Sequence, residues 1–417
     1  MTSTRWTRLA APTFAPTIAL SAALALATMA PAQATTDQVG PVHPVATWGA
    51  SADKVAGEAG AAGITDRSVR NLVHTSLGGS GVRITLSNAF GDRPVTFTSA
   101  HLGVAAAGAA VVAGTNRPVS FEGADEVTVA PGAEVISDPV EASVPADTTL
   151  ALSFHVVGAS GPITGHNVAM QTSYVAGAAG DIAGDEAGAG FTSEIPSWYW
   201  VESVVVTKPR RVKTAVLFGD SITDGNGSSV GANRRWPDAL ADRVATSRLH
   251  GRYGVMNEGI SANRVLADGT GGQRALDRFR RDVLDQPGVS MVVVLAGIND
   301  IRWDLATDAS ALVAGYRDLI AQAHAEDLCI VGVTLTPYEG GSRYTPERER
   351  VRTAVNEWIR TSGEFDDVVD FDAATRDPAR PSRFLPAYDS GDHLHPGDAG
   401  YAAMAEAFDL GLLGCER

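Results

Sequence analysis

A serine hydroxyl is a weak nucleophile and becomes a useful one only beside a base that a third group orients. The chain offers such a set in Ser221, within Gly219-Asp220-Ser221-Ile222-Thr223-Asp224-Gly225, and in Asp392 and His395, within Asp392-His393-Leu394-His395-Pro396. Three residues apart in one turn, the Asp392 carboxylate can hold one imidazole nitrogen of His395 while the other faces Ser221. Attack on a carbonyl also needs donors aimed at the developing oxyanion, each worth about 2.7 to 4 kcal/mol in the best-studied case. The candidates are the backbone amides of Ser221 and Gly259 and the side-chain amide of Asn299, from the segments Asn257-Glu258-Gly259-Ile260-Ser261-Ala262-Asn263-Arg264 and Gly297-Ile298-Asn299-Asp300. Glycine suits such a position because the backbone must approach a substrate without a Cβ in the way. The set reads as acyl transfer through a covalent acyl-serine, which requires no metal or organic cofactor. No Cys or His pair has the spacing of zinc ligands.

Three of these four segments directly follow an apolar run. The runs at 215–218, 253–256, 291–295, 329–335 and 368–371 alternate with helical patterns, for instance at 237–249, 309–325 and 346–361, the last with Thr345 as N-cap and Pro346 at the first helical position. Continuous Val/Leu/Ile strands alternating with helices predict a parallel sheet covered on both faces, a three-layer, flavodoxin-like α/β fold. In such a sheet ligands bind beyond the carboxyl ends of the strands, where the polar segments stand. Ahead of it, from about residue 48 to 206, short runs such as Val82-Arg83-Ile84-Thr85-Leu86 alternate apolar and polar residues between turn signals. That pattern predicts an all-β sandwich of the jelly-roll kind. The Gly/Ala-rich stretch 176–190 reads as a flexible surface loop, and the basic stretch from Lys208 to Lys213 as a linker. The expected division is a leader at 1–34, a β-sandwich domain at 35–207 and the α/β domain at 208–417.

Taken in order, Gly-Asp-Ser at 219–221, a glycine after the second strand, Gly-x-Asn-Asp at 297–300 and Asp-x-x-His at 392–395 resemble the SGNH (GDSL-type) hydrolase superfamily across the whole α/β half. The resemblance implies Ser221 as nucleophile, Gly259 and Asn299 as oxyanion donors, and Asp392 and His395 as triad partners. Two departures bear on the acyl pocket. Ala262 stands where many relatives have a second glycine, and Arg302-Trp303 follow Asn299-Asp300-Ile301 in place of a small residue. The Gly-x-Ser-x-Gly elbow of ordinary α/β-hydrolases is absent, because Thr223 occupies its second glycine position. His74-Thr75-Ser76-Leu77-Gly78-Gly79 and Leu86-Ser87-Asn88-Ala89-Phe90-Gly91 are similar to the β-domain of a subgroup related to xylanase-associated esterases. This implies a substrate among acylated plant or microbial polysaccharides, short acyl groups such as acetyl first. A lipase or phospholipase is the enzymatic alternative. From another class, a carbohydrate-binding surface protein with a vestigial hydrolase domain fits the same division.

Other residues have plainer readings. Asp220, Asp224, Asn263, Arg264 and Asp300 are expected to brace loops. Trp198 and Trp200 would share one face of a strand and pack as core rather than stack on sugars. His74, His155 and His166 sit in strand-like segments and read as structural. His393, two residues from His395, points elsewhere.

Composition sets the surroundings. Arg5 and Arg8 precede an apolar run from Leu9 to Met29 and then Ala32-Gln33-Ala34, the form a signal peptidase accepts. Pro12 and Pro16 interrupt that run, and no other segment approaches about 18 consecutive apolar residues, which argues against a membrane anchor. The expectation is a secreted, extracellular protein. With 48 acidic against 33 basic residues and a net charge of −15, the arginines scattered among acids make nucleic acid an unsuitable partner. The partner expected instead is an acylated carbohydrate or small ester. Cys329 and Cys415 fit either one bridge tying down the tail or two buried thiols.

Overall fold

The Val/Leu/Ile runs of the second half form five parallel strands, β1 (Lys213–Gly219), β2 (Tyr253–Gly259), β3 (Val289–Leu295), β4 (Cys329–Val333) and β5 (Asp367–Val369). They lie side by side in the order 2-1-3-4-5, a doubly wound order whose switch point falls between β1 and β3. Ala215, Val216, Leu217 and Phe218 and the facing Met291, Val292 and Val293 are all fully buried, so both faces of the sheet are covered. The helices that matter for the site are α1 (Ser221–Asp224), α2 (Trp236–Thr246), α3 (Ala275–Phe279), α4 (Ile298–Arg302), α5 (Ala309–Ala325), α6 (Pro346–Thr361) and α7 (Asp398–Ala407). Thr345 caps α6 by accepting the Arg348 amide at 3.2 Å, with Pro346 at the first turn, where its missing N–H costs nothing. The computed structural model describes residues 41–415 and 417, and the leader expected at 1–34 lies outside them.

The first half is built from antiparallel strands apart from the short helix Gly57–Ala62. One sheet contains Val42–Gly49, Val201–Pro209 and Gly79–Ser87, and the other is centred on Thr65–Thr75, Thr148–Ala159 and Val95–Val104. Val82, Ile84, Leu86 and Val204 of the first share one core with Phe97, Leu102, Leu152 and Phe154 of the second. Trp198, Tyr199 and Trp200 are all buried in it, and Trp198 Nε1 donates to the Leu72 carbonyl at 2.6 Å. Strand alternation does not put Trp198 and Trp200 inside together, because Trp200 leaves the strand with φ 57°.

Two expectations need correction. The stretch 176–190 is not loose: the buried Arg70 guanidinium reaches into it, donating to the carbonyls of Ala183 at 3.1 Å and Asp185 at 2.7 Å, and lies 4.2 Å over the Phe191 ring. The basic stretch at 208–213 is also more than a linker, since Lys208 and Pro209 pair in register with His43 and Val42. The described residues accordingly form one compact unit. The exposed side of β2 is covered by the β region: Ser76 Oγ donates to the Val255 carbonyl at 3.0 Å and accepts the Val255 amide at 2.9 Å. This shields an edge strand that would otherwise offer unpaired backbone groups. The cysteines form a bond between Cys329 at the start of β4 and Cys415 at the tail.

A layer of charge lies in the seam between the two halves. Glu202 and Glu258 are buried there, and three of their four carboxyl oxygens have no hydrogen-bond partner among the described residues. Burial and the neighbouring acids push both well above the ordinary glutamate range. Burial also pushes Asp220 up to about 7 and Asp300 up to about 6. Each of these groups keeps its proton in the folded chain at pH values where the unfolded chain has released it. Stability therefore falls as pH rises from about 4 through about 7, by up to about 1.4 kcal/mol per pH unit for each group within its own window. Thermal unfolding across that range is expected to show the decline, and Glu258→Gln, which keeps shape and removes the titration, is expected to make it shallower.

Candidate active site

The strand ends place the polar segments together. After β1 the chain turns into α1, where Asp220 caps the helix by accepting the Ile222 amide at 3.0 Å. Ser221 is the first residue of that helix, and its N–H has no acceptor among the described residues. Gly259 at the end of β2 must lack a side chain, because a Cβ there would stand 2.2 Å from the Asp224 amide nitrogen of α1. After β3, Gly297 makes the turn into α4 with φ 129°, and a Cβ there would stand 2.5 Å from the Tyr316 hydroxyl. Asn299 follows in the first turn of α4.

His395 closes the set from the loop ahead of α7. Its Nε2 is 2.8 Å from Ser221 Oγ, and its Nδ1 is 2.6 Å from Asp392 Oδ2. Asp392 Oδ1 also accepts the amides of Leu394 at 2.9 Å and His395 at 2.8 Å, which fixes the turn and the carboxylate at once. Burial works to raise this carboxyl, but the hydrogen bonds from His395 and Leu394 outweigh it and hold Asp392 well below the ordinary range. A carboxylate facing Nδ1 requires the proton there, which leaves Nε2 free to accept from the Ser221 hydroxyl. Such an arrangement can withdraw a proton from the serine as it attacks. His393 turns away, its Nδ1 against Asp389 Oδ2 at 2.5 Å.

The expected oxyanion donors divide. Asn299 Nδ2 donates one hydrogen to the Asn263 carbonyl at 3.0 Å, and its Oδ1 accepts from Arg302 Nη1 at 2.9 Å, so the amide orientation is settled and the second N–H remains available. The Gly259 amide is spent, donating to Asn257 Oδ1 at 3.0 Å. The available backbone donor in that loop is Ala262, one residue ahead of the carbonyl that holds Asn299. Its N–H has no acceptor among the described residues, and its φ is 63°, in the left-handed region where glycine is favoured. The sequence did carry this signal in the glycine that many relatives have at position 262. Around the loop, Asp300 accepts the amides of Val265 and Leu266, each at 2.9 Å, and Asn263 Nδ2 donates to the carbonyls of Gly271 at 2.6 Å and Gln273 at 2.7 Å.

The two remaining pocket candidates form the rim. Arg302 Nη2 donates to Ser342 Oγ at 2.6 Å while its other nitrogen holds Asn299. Trp303 is 41% exposed, with the Arg343 guanidinium 3.6 Å and the Arg264 guanidinium 5.2 Å from its ring centre.

Residues 217–403 match the GDSL-like lipase/acylhydrolase family. This part of the chain is a GDSL-like hydrolase domain. The match to this lipase/acylhydrolase family spans Ser221, Ala262, Asn299, Asp392 and His395 together. Similar solved structures include an acetyl xylan esterase from Geobacillus stearothermophilus, 23% identical over 50% of this chain and 98% of that one, with a TM-score of 0.38. A carbohydrate acetylesterase family member from Sinorhizobium meliloti is 16% identical over 47% of this chain and 95% of that one, TM-score 0.39. The aryl esterase of M. smegmatis is 16% identical over 47% and 96%, TM-score 0.39. No match is found among curated proteins.

The hydrogen-bond chain of the GDSL-like domain makes one serine unlike the others. A fluorophosphonate is expected to label Ser221 alone, as read by peptide mass spectrometry, and His395→Ala is expected to slow labelling by about 10³-fold or more.

Proposed function

We propose that the protein is a secreted serine esterase that removes short acyl groups, acetyl foremost, from carbohydrate through an acyl-Ser221 intermediate. The observation that carries this reading is the unbroken chain from Asp392 through His395 to Ser221 Oγ, at 2.6 and 2.8 Å, beside two unspent backbone amides and the Asn299 amide. His395 takes the serine proton during attack and returns it to the leaving alcohol. A water then repeats the cycle on the acyl-enzyme and releases the acid. Ser221 N–H, Ala262 N–H and Asn299 Nδ2 hold the oxyanion, and Asp392 keeps the imidazole in the tautomer the reaction needs. A three-layer, flavodoxin-like α/β domain from residue 208 and a jelly-roll-like β-domain ahead of it belong to the same reading. So does export by the leader at 1–34, and among the described residues no helix is long and apolar enough to cross a membrane.

The rim supports a short acyl group over a long one. A fatty chain needs a continuous apolar channel, whereas Arg264, Arg302 and Arg343 gather around Trp303 beside Asn299. Guanidinium donors gathered at the rim suit the hydroxyls of a sugar.

Purified protein is expected to turn over p-nitrophenyl acetate and acetylated xylan, with kcat/KM falling as the acyl chain lengthens, and Ser221→Ala is expected to be inactive while folded. Preference for long acyl chains would favour a lipase instead, and turnover in Ser221→Ala would remove the nucleophile. Arg302→Ala releases the Asn299 amide and is expected to lower kcat by about tenfold with little change in KM, because the oxyanion bond forms mainly in the transition state.

A further inference from the structure

His166 ends the short strand Thr164–His166 of the β region and is buried against the GDSL-like domain. Both of its ring nitrogens meet acceptors: Nδ1 lies 2.9 Å from the Ser51 carbonyl and Nε2 lies 2.9 Å from Asp224 Oδ1. A carbonyl and a carboxylate offer no proton, so both nitrogens donate and the ring is an imidazolium. Asp224 is the last residue of α1, which begins with Ser221. The other oxygen of Asp224 accepts the hydroxyl of Ser261, the residue directly ahead of Ala262.

We propose that His166 is a positioning residue for the oxyanion loop, a cation lent by the β region that holds Asp224, and through Asp224 the Ser261 hydroxyl, so that the Ala262 amide faces the substrate. The inference rests on the reading of Ser221 as nucleophile and of Ala262 as donor, and adds to it the part played by the first half of the chain. Ala262 occupies a left-handed conformation that an alanine does not adopt unaided. Something must hold it there, and among the described residues the hydroxyl of the preceding residue reaches Asp224, with Asn226 Oδ1 also 3.0 Å from it. Asp224 in turn is buried and needs a cation within contact. His166 is that contact, with the indole of Trp198 at 5.5 Å and the Arg235 guanidinium beyond it over the same indole. Burial alone would lower the imidazole, but the Asp224 carboxylate and the Ser51 carbonyl outweigh burial and Arg235 and raise it.

Two substitutions separate the two ends of the ring. Gln at 166 keeps an uncharged donor near Nε2, toward Asp224, whereas Asn keeps one near Nδ1, toward Ser51. With p-nitrophenyl acetate as probe and the full chain as enzyme, kcat is expected to fall from wild type to His166→Gln to His166→Asn. The total loss is expected to be about 10- to 100-fold, with KM changed less than about twofold. Ser261→Ala is expected to lower kcat about tenfold, and adding His166→Gln to it is expected to cost little more, because both act through one chain of contacts. A wild-type kcat in His166→Gln, an Asn variant as fast as the Gln variant, or losses that simply multiply would each overturn the proposal. Should far-UV circular dichroism show that a His166 variant has not folded, Ser261→Ala decides alone, and an unchanged kcat there overturns it. Ser221→Ala tests the underlying reading separately: turnover in that variant removes the reading itself, whereas its loss together with undiminished kcat in His166→Gln removes only the inference.

Discussion

The strand ends that carry chemistry are bound to one another by a single buried cation, the guanidinium of Arg278 on α3. It donates to the Gly219 carbonyl at the end of β1 at 2.8 Å, to the Glu258 carbonyl near the end of β2 at 3.0 Å, to Asn263 Oδ1 at 3.1 Å and to Ser51 Oγ of the β region at 2.9 Å. Asp282 supplies the counter-charge at 2.8 Å, and the Phe218 ring lies 4.0 Å away. Taking such an ion from water is costly, and it is tolerated here because a partner carboxylate and four further acceptors replace the hydration. A planar fork with several fixed donors fits this junction, and the point charge of a lysine does not. One rigid side chain thus bridges the turn of Ser221 and the loop of Ala262, beside the direct bonds from Asn257 Nδ2 to the Thr223 carbonyl at 2.8 Å and from the Ile260 amide to the Gly219 carbonyl at 3.1 Å.

That constraint explains why the β region is part of the same compact unit rather than an appendage. Ser51 meets Arg278 through its hydroxyl and His166 through its carbonyl, so one β-region residue touches both polar ties into the site. Ser51 Oγ also donates to Glu258 Oε2 at 2.6 Å. The carboxyls of Glu258 and Glu202 are pushed well above the ordinary glutamate range by the same absence of water that strengthens the Arg278 bonds.

Legibility in the sequence followed the range of the interaction. Asp392 and His395 were readable because the turn that joins them is local, closed by two amides onto one carboxylate. The five parallel strands were readable because full burial leaves no polar alternation to confuse the period. Ala262 was passed over for Gly259 because the composition of a loop does not say which amide is already spent, and only the Asn257 side chain decided that. The pinning of residues 176–190 was hidden for a different reason: Arg70 reaches Ala183 across 113 positions, and an arginine in a strand carries no local mark of burial. His166 reads as structural from its strand-like setting, but nothing near it in sequence names Asp224, 58 residues away, as its partner. Trp200 entered the core by leaving its strand, which a rule of alternation cannot express.

The bond between Cys329 and Cys415 spans 86 positions and closes them into a covalent ring. In the chain-entropy account a loop of that size is worth about 4 to 5 kcal/mol to the folded state. Its topology matters as much as its strength. Asp392 and His395 lie inside the ring, and Ser221 lies outside it at the start of α1. A single backbone cut anywhere between the two cysteines therefore leaves the imidazole and carboxylate still tethered, through β4, to the polypeptide that carries the serine. For a chain cut inside the ring, separating His395 from Ser221 takes a second cut, or a reductant.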